Sequence, residues 1–218
     1  MRITLPSGTP AEIARPSGEP VAGLVLIPDI GGLRPLFDEH CARIASEWNV
    51  AVCAPEPFPG DESFSIEQRM AHMAQRDDAR ALGDIEAAAD ELGTPAVHVL
   101  GFCQGGMYAL KAAAGTRFAK AVSFYGMIRI PSQWKGSGQG EPLEVLRARG
   151  DASRVLALIG TEDPWVSVDD GEELRKLGAD VVVYEGAEHG FAHDPSRPAH
   201  RPDDAADAWS RAKAFLLG

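Results

Sequence analysis

VHVLGFCQGGM, residues 97–107, is the stretch that decides the fold, because an apolar strand breaks there at glycine, presents one cysteine and continues as an alanine-rich helix. In a nucleophile elbow, a strand turns so sharply into a helix that the central residue is strained and its side chain stands above the sheet. Gly101 and Gly105 lie two positions either side of Cys103, where only small residues fit. The helix N-terminus would favour the thiolate. The alternative is an inert buried cysteine, since GxCxG also arises by chance.

The segments flanking this stretch alternate between short apolar runs and helical patterns. An edge strand is predicted at residues 10–14, and buried strands at 21–27, 49–55, 97–102, 119–126, 154–160 and 181–184. Helices are predicted at residues 36–48, 66–92, 104–114 and 168–177 and at the C-terminal end. Residues 130–146 are predicted to form a loop, either solvated or a lid. This alternation predicts an α/β fold in one domain over residues 1–218, with a mostly parallel central sheet and helices on both faces.

The composition narrows the classes of partner. A net charge of -11 disfavours nucleic acid and anionic membranes, so we expect a small-molecule ligand. We expect either a monomer or a homodimer. No run is long and apolar enough for a transmembrane helix, and the first residues lack the apolar core of a signal peptide. Three cysteines without a CxxC pair fit a reducing compartment, and we expect a cytoplasmic protein.

Three residues with complementary chemistry follow predicted strands. Cys103, Asp163 and His189 occur in the order nucleophile, acid, histidine, which is the chain order of α/β-hydrolases. The carboxyl ends of parallel strands meet at one edge of a sheet, so we expect these side chains to meet there. Cys103 would attack a carbonyl carbon, His189 would move the proton, and Asp163 would orient the imidazole.

The negative charge that develops on the carbonyl oxygen also needs donors. The backbone N–H of Gln104, directly after the nucleophile, is one candidate. The second is the N–H of Ile30, in the glycine-rich loop after the strand that ends at Ile27. Trp134 and Trp165 are candidate walls of a substrate pocket.

Each assignment has a competitor. Asp163 precedes a proline and could be only a turn residue, and Glu162 and Asp169 lie nearby. His189 and His193 have the i, i+4 spacing of a zinc pair, but Gly190 intervenes and the HExxH glutamate is missing. We therefore predict neither a metal nor a cofactor. The remaining cysteines and His40, His72 and His98 are interpreted as structural or solvated residues, whereas His200 could lie near the site.

Four motifs together resemble the dienelactone hydrolase family of α/β-hydrolases. They are GFCQGG at 101–106, TEDPWV at 161–166, AEHGFAH at 187–193 and IPDIGG at 27–32, and the resemblance runs from about Leu24 to Leu216. It implies a Cys-His-Asp triad and cleavage of an ester or lactone, which in the namesake enzyme is an unsaturated, carboxylate-bearing butenolide. Gln104 and Ile30 match the family's oxyanion-hole positions.

The chain departs from the namesake pattern at residues that matter for substrate and activation. Asp29 stands where the family has a glutamate thought to help activate the thiol, so it is a thiol-activating candidate. His193 stands where the family has a substrate-binding arginine, and Arg69 is a candidate for the second such arginine. A histidine does not bind a carboxylate bidentately, as a guanidinium does.

The leading hypothesis is therefore a cysteine-dependent hydrolase of small esters or lactones, of the carboxymethylenebutenolidase type. A general carboxylesterase or thioesterase is one alternative. A non-catalytic ligand-binding receptor on the same fold is the other.

Overall fold

The computed structural model describes residues 1–218 and contains one eight-stranded sheet. The strand order is β1-β2-β4-β3-β5-β6-β7-β8, and all pairs from β4 to β8 in that order are parallel, whereas β2 pairs antiparallel with β1 and with β4. The strands are β1 Arg2–Thr4, β2 Pro10–Ala14, β3 Gly23–Ile27, β4 Ala51–Pro55, β5 Val97–Phe102, β6 Ala121–Phe124, β7 Val155–Gly160 and β8 Asp180–Tyr184. The predicted mostly parallel α/β sheet is confirmed.

Seven α-helices connect or follow these strands. They are α1 Pro35–Trp48, α2 Ile66–His72, α3 Asp78–Asp90, α4 Gln104–Ala113, α5 Pro142–Arg149, α6 Val168–Lys176 and α7 Pro202–Leu217. The inner strands β3, β4, β5, β6 and β7 are buried at every position, as continuous apolar runs require when helices cover both faces of a sheet. None of the helices has the length and apolar character needed to cross a membrane.

The single helix predicted for residues 66–92 is wrong, because the chain breaks between α2 and α3. Ser65 caps α2 with a reciprocal bond to Gln68, and a 3₁₀ turn at Met73–Gln75 follows. Asp77 then starts α3 by accepting the N–H of Ala79. The side-chain cap supplies a new helix start, which divides the predicted helix in two.

Residues 130–146 are more ordered than predicted. A 3₁₀ turn covers Ser132–Trp134, and α5 begins at Pro142, so the prediction of a loop is wrong beyond that proline. The intervening segment is hydrogen-bonded to the start of α3: Gly140 N–H donates to Asp78 Oδ2 at 2.8 Å, and Asp78 N–H donates to the Gly138 carbonyl at 2.9 Å. These two hydrogen bonds fix the segment against the first turn of α3.

Candidate active site

The turn from β5 into α4 has the geometry of a nucleophile elbow. Cys103 has φ 56° and ψ -123°, a conformation that side-chain-bearing residues rarely adopt. A Cβ on Gly101 would overlap the Gly105 carbonyl, and one on Gly105 would overlap the carbonyls of Ile27 and Pro28. The small residues therefore permit the close approach of strand, helix and neighbouring loop that the turn requires.

His189 and Asp163 are hydrogen-bonded at the same edge of the sheet. The Nδ1–H of His189 donates to Asp163 Oδ2 at 2.8 Å, and the other carboxylate oxygen accepts the backbone N–H of Trp165 at 2.8 Å. Asp163 follows β7 and His189 follows β8, which are adjacent parallel strands. With both oxygens engaged, the carboxylate has one orientation, and it leaves Nε2 of His189 as the nitrogen available for proton transfer.

Cys103 and His189 line the same cavity. Nε2 of His189 is buried and makes no hydrogen bond within the protein. Burial alone would lower the pKa of His189, but the nearby Cys103 sulfur and the hydrogen bond to the Asp163 carboxylate outweigh it and raise that pKa to about 10. The imidazole therefore lies where a proton from the thiol would be stabilised.

Two backbone N–H groups beside Cys103 have no partner within the protein. The N–H groups of Ile30 and Gln104 donate no hydrogen bond, and the Gln104 side chain is fully buried. Its Nε2 donates to the carbonyl of Pro28 at 2.9 Å. One side chain of the elbow thereby holds the loop that presents the Ile30 N–H, so the spacing of the two donors is set before any ligand arrives.

Asp29 is fully engaged by other groups. Its Oδ1 accepts from Gly31 N–H at 2.9 Å, Arg34 donates to both oxygens at 2.6 and 2.9 Å, and His193 donates to Oδ2 at 2.8 Å. Burial opposes ionisation, but the bonds from His193 and Arg34 hold the pKa of Asp29 well below its usual range. A carboxylate with four donors already in place and so low a pKa is a poor base for the Cys103 thiol.

His193 does not line the cavity, and the expectation that it touches substrate is corrected. The ring is 1% exposed, and both nitrogens are bonded, Nε2 to Asp29 and Nδ1 to the hydroxyl of Tyr125 at 2.5 Å. Because an ionised carboxylate only accepts hydrogen bonds, Nε2 carries the proton and Nδ1 accepts from Tyr125. Burial lowers the pKa of His193, which keeps the ring neutral.

Arg69 is likewise absent from the cavity lining. Its side chain is 4% exposed and is paired with Glu56 at 3.1 Å, beneath the loop that carries Ile30. Nη1 also lies 3.4 Å from the Ile30 carbonyl. The guanidinium is committed to holding protein groups, so the structure does not support the predicted contact with a substrate carboxylate.

The cavity around Cys103 has a volume of about 500 Å³. Trp134 and Trp165 line it, as predicted, and their rings stack at 5.5 Å with an interplanar angle of 18°. The complete lining comprises Asp29, Ile30, Gly31, Arg34, Ile66, Met70, Cys103, Trp134, Trp165, His189, Asp194 and Arg197. A smaller cavity of about 290 Å³ is lined by Gln104 among other residues and does not include Cys103.

The sequence reasoning missed two arginines of this cavity. Arg34 is paired with Asp29, whereas the guanidinium of Arg197 makes no hydrogen bond or ion pair and lies against Gly190, the residue after His189. An arginine eight positions after the catalytic histidine candidate, in a segment without periodicity, carries no pattern to single it out. The Gly-Phe-Ala that follows His189 does predict a tight turn, which is the only available signal that nearby residues return to the site.

The other cysteines are core residues, as predicted. Cys41 and Cys53 are fully buried in α1 and β4. Burial raises the pKa of Cys53 to about 12 and that of Cys41 further still. Both thiols are therefore unreactive at neutral pH.

Two bacterial relatives align over most of the chain. A Bradyrhizobium protein described as a 2-oxo-3-(5-oxofuran-2-ylidene)propanoate lactonase is 28% identical, over 94% of this chain and 88% of its own length. A carboxymethylenebutenolidase from Rhodococcus opacus is 29% identical, over 88% of this chain and 79% of its own length.

Solved structures share the fold. A Klebsiella pneumoniae protein described as a dienelactone hydrolase superposes with a TM-score of 0.84 at 24% identity, covering 99% of this chain and 97% of that one. A dienelactone hydrolase-like promiscuous phosphotriesterase from metagenomic libraries has a TM-score of 0.72 at 20% identity, over 100% and 98% of the two chains. The family model for dienelactone hydrolases matches residues 9–217, and this protein therefore belongs to the dienelactone hydrolase family of α/β-hydrolases.

Proposed function

We propose that this protein hydrolyses small esters or lactones through an acyl-enzyme on Cys103, within a single catalytic domain of residues 1–218. Membership of the dienelactone hydrolase family makes it a hydrolase of the carboxymethylenebutenolidase type. One observation supports the cysteine mechanism above all others: Cys103 shares a cavity with His189, whose remaining nitrogen is unpartnered and whose other nitrogen is held by Asp163.

In the first half-reaction, the Cys103 sulfur attacks the carbonyl carbon of the substrate. The carbonyl π bond becomes a lone pair on oxygen, and the N–H groups of Ile30 and Gln104 stabilise this charge. The C–O bond to the leaving alcohol then breaks as the carbonyl re-forms. His189, which holds the thiol proton, donates it to the leaving oxygen. For a lactone, the alcohol stays attached to the acyl chain, and the product of this step is a thioester.

In the second half-reaction, water attacks the thioester carbonyl. His189 accepts a proton from the water, the same two N–H groups bind the oxyanion, and the C–S bond breaks. The carboxylic acid leaves and the proton returns to the sulfur. Asp163 keeps Nδ1 protonated throughout, so that Nε2 alone exchanges protons with the reactants.

We further propose that the preferred substrate carries a carboxylate. Arg197 is the charged cavity residue without a protein partner, and a guanidinium binds a carboxylate bidentately. The names of the Bradyrhizobium and Rhodococcus relatives describe lactones that bear a carboxylate group. Arg197 would thus do in this chain what neither His193 nor Arg69 is placed to do.

The test is turnover of a panel of butenolide carboxylates and simple aryl esters by the purified protein. Iodoacetamide at stoichiometric exposure is expected to abolish activity and to label Cys103, as read by peptide mass spectrometry. Cys103→Ala is expected to lose activity on the order of a thousandfold or more. Cys53→Ala is the matched control, because its buried thiol lies outside the cavity. Full activity of Cys103→Ala, or tight binding without turnover in the wild type, would refute the mechanism.

A further inference from the structure

The lining of the cavity around Cys103 contains two chemically different sets of side chains, which we name the aromatic wall and the charged wall. The aromatic wall consists of the apolar side chains Ile30, Ile66, Met70, Trp134 and Trp165. The charged wall consists of Asp29, Arg34, Asp194 and Arg197. Cys103 and His189 complete the lining, together with Gly31. A ligand that satisfies both walls must carry an apolar group and a polar or charged group.

The aromatic wall contains a rigid recognition surface. Trp134 is 2% exposed and its ring stacks on that of Trp165, which is only partly buried. The backbone of Trp165 is held by Asp163 Oδ1 at 2.8 Å. An indole that is supported from behind and tethered at its backbone offers a planar surface with little conformational entropy to lose. Planar conjugated groups stack well on such a surface.

The size of the cavity exceeds what a compact lactone needs. A volume of about 500 Å³ lies within the range of roughly 300–1,000 Å³ that encloses drug-sized ligands. Ile66 lines the cavity and is 57% exposed, so the aromatic wall continues to the protein surface. A single five-membered ring at Cys103 would leave this surface wet, and exposed apolar surface of this kind is typical of a ligand site.

From these walls we infer that the substrate is an aryl-substituted ester or lactone carboxylate, with its aromatic ring on Trp165 and its carboxylate at Arg197. This inference rests on the proposed function and adds the aromatic group. The reacting carbonyl must lie within reach of Cys103 and His189, which line the same cavity as both walls. The aromatic wall then binds a part of the substrate that does not react, and that binding positions the carbonyl for attack.

The experiment compares four lactones in a two-by-two design. They are a γ-ylidene butenolide carboxylate, its phenyl-substituted form, and the carboxamide of each. The phenyl group is expected to raise kcat/KM about tenfold in both pairs, since aromatic stacking and apolar burial add to the binding energy. The carboxylate is expected to raise kcat/KM independently, by about tenfold over the carboxamide.

Variants assign each preference to its wall. Trp165→Ala retains the backbone N–H that Asp163 accepts, and it is expected to reduce kcat/KM about tenfold more for the phenyl lactone than for the compact one. Arg197→Gln is expected to reduce the preference for carboxylate over carboxamide and to leave the phenyl preference intact. Trp48→Phe and Arg201→Gln are the matched controls, because neither residue lines the cavity.

Outcomes separate this inference from the proposed function. Turnover of the compact lactones without a phenyl preference, or an equal loss on all four lactones in Trp165→Ala, would overturn the aryl assignment and leave the Cys103 mechanism standing. If the wild type hydrolyses none of the four lactones, the Cys103 mechanism is refuted. In that case, binding of the phenyl carboxylate to Cys103→Ala still tests the aryl assignment, and quenching of tryptophan fluorescence measures this binding. Affinity equal to that of the compact carboxylate would refute it.

Discussion

His189 and His193 lie four residues apart in the segment after β8, and their surroundings are opposite. His189 keeps one nitrogen unpartnered in the cavity, and its pKa is raised. His193 has both nitrogens bonded to protein groups, and its pKa is lowered by burial. The same side chain can thus move a proton in one place and hold a loop in the other. What distinguishes the two roles is the nitrogen that the protein leaves free.

The largest effect is expected from a substitution of His189. His189→Gln removes the proton carrier, and kcat for a lactone is expected to fall on the order of a thousandfold, within the range for loss of general acid-base catalysis. Steady-state kinetics measures this effect. His72→Gln is the control, since His72 is exposed at the end of α2. A loss of less than tenfold in His189→Gln would show that another group carries the proton.

Asp29→Asn tests whether Asp29, the hydrogen-bond partner of His193, takes part in the chemistry directly. The amide loses the charge that pairs with Arg34, but it keeps an oxygen that can accept from His193. We expect kcat to fall about tenfold at most, because Asp29 orients the Ile30 loop and does not activate the thiol. A loss as large as that of His189→Gln would restore Asp29 as the thiol-activating base.

Tyr125→Phe sharpens the comparison further by removing one hydroxyl. Nδ1 of His193 would be left buried without a donor, which costs about 1–3 kcal/mol of unfolding free energy. The effect on kcat is expected to be only a few-fold, since the ring remains packed edge-on against His189 at 5.2 Å. Urea denaturation and kinetics measure the two quantities. Tyr184→Phe is the control, because its hydroxyl bonds Asp207 far from the cavity. Equal destabilisation in both variants would contradict a special role for Tyr125.

The smallest expected effect is a pH dependence of stability. A pKa raised from 6.5 to about 10 means that protonated His189 stabilises the folded state. This stabilisation is complete below about pH 6.5 and is lost as the pH rises towards 10. The Tm difference between wild type and His189→Gln is therefore expected to shrink from pH 6 to pH 10. Calorimetry at both pH values measures it, and a constant difference would mean that His189 is not charged in the fold.

The sequence predicted the sheet and the three residues at its edge because both depend on short-range patterns. Apolar runs identify strands, and strand ends identify Cys103, Asp163 and His189. The direction of a loop side chain depends instead on distant packing. His193 faces inward because Asp29 and Tyr125, from other parts of the chain, offer it partners, and no spacing in the sequence encodes that encounter.

Other differences have similar causes. The sequence does not indicate the ion pair between Arg69 and Glu56, because the two residues lie thirteen positions apart, across a loop of irregular conformation. The break before α3 could have been predicted from Asp77, which is a good helix cap. Arg197 lies in a segment with no periodicity, so only the folded chain reveals it.

Asp163 holds the imidazole with one oxygen and the backbone of the aromatic wall with the other. Selectivity and turnover therefore share a single anchoring group. Changes to residues 164–166 that move the Trp165 backbone N–H would tilt the His189 imidazole at the same time, whereas side-chain changes that leave this N–H in place would not. Engineering or natural divergence of substrate choice should thus proceed more readily at Arg197, whose guanidinium lines the cavity without a hydrogen bond to Asp163 or His189.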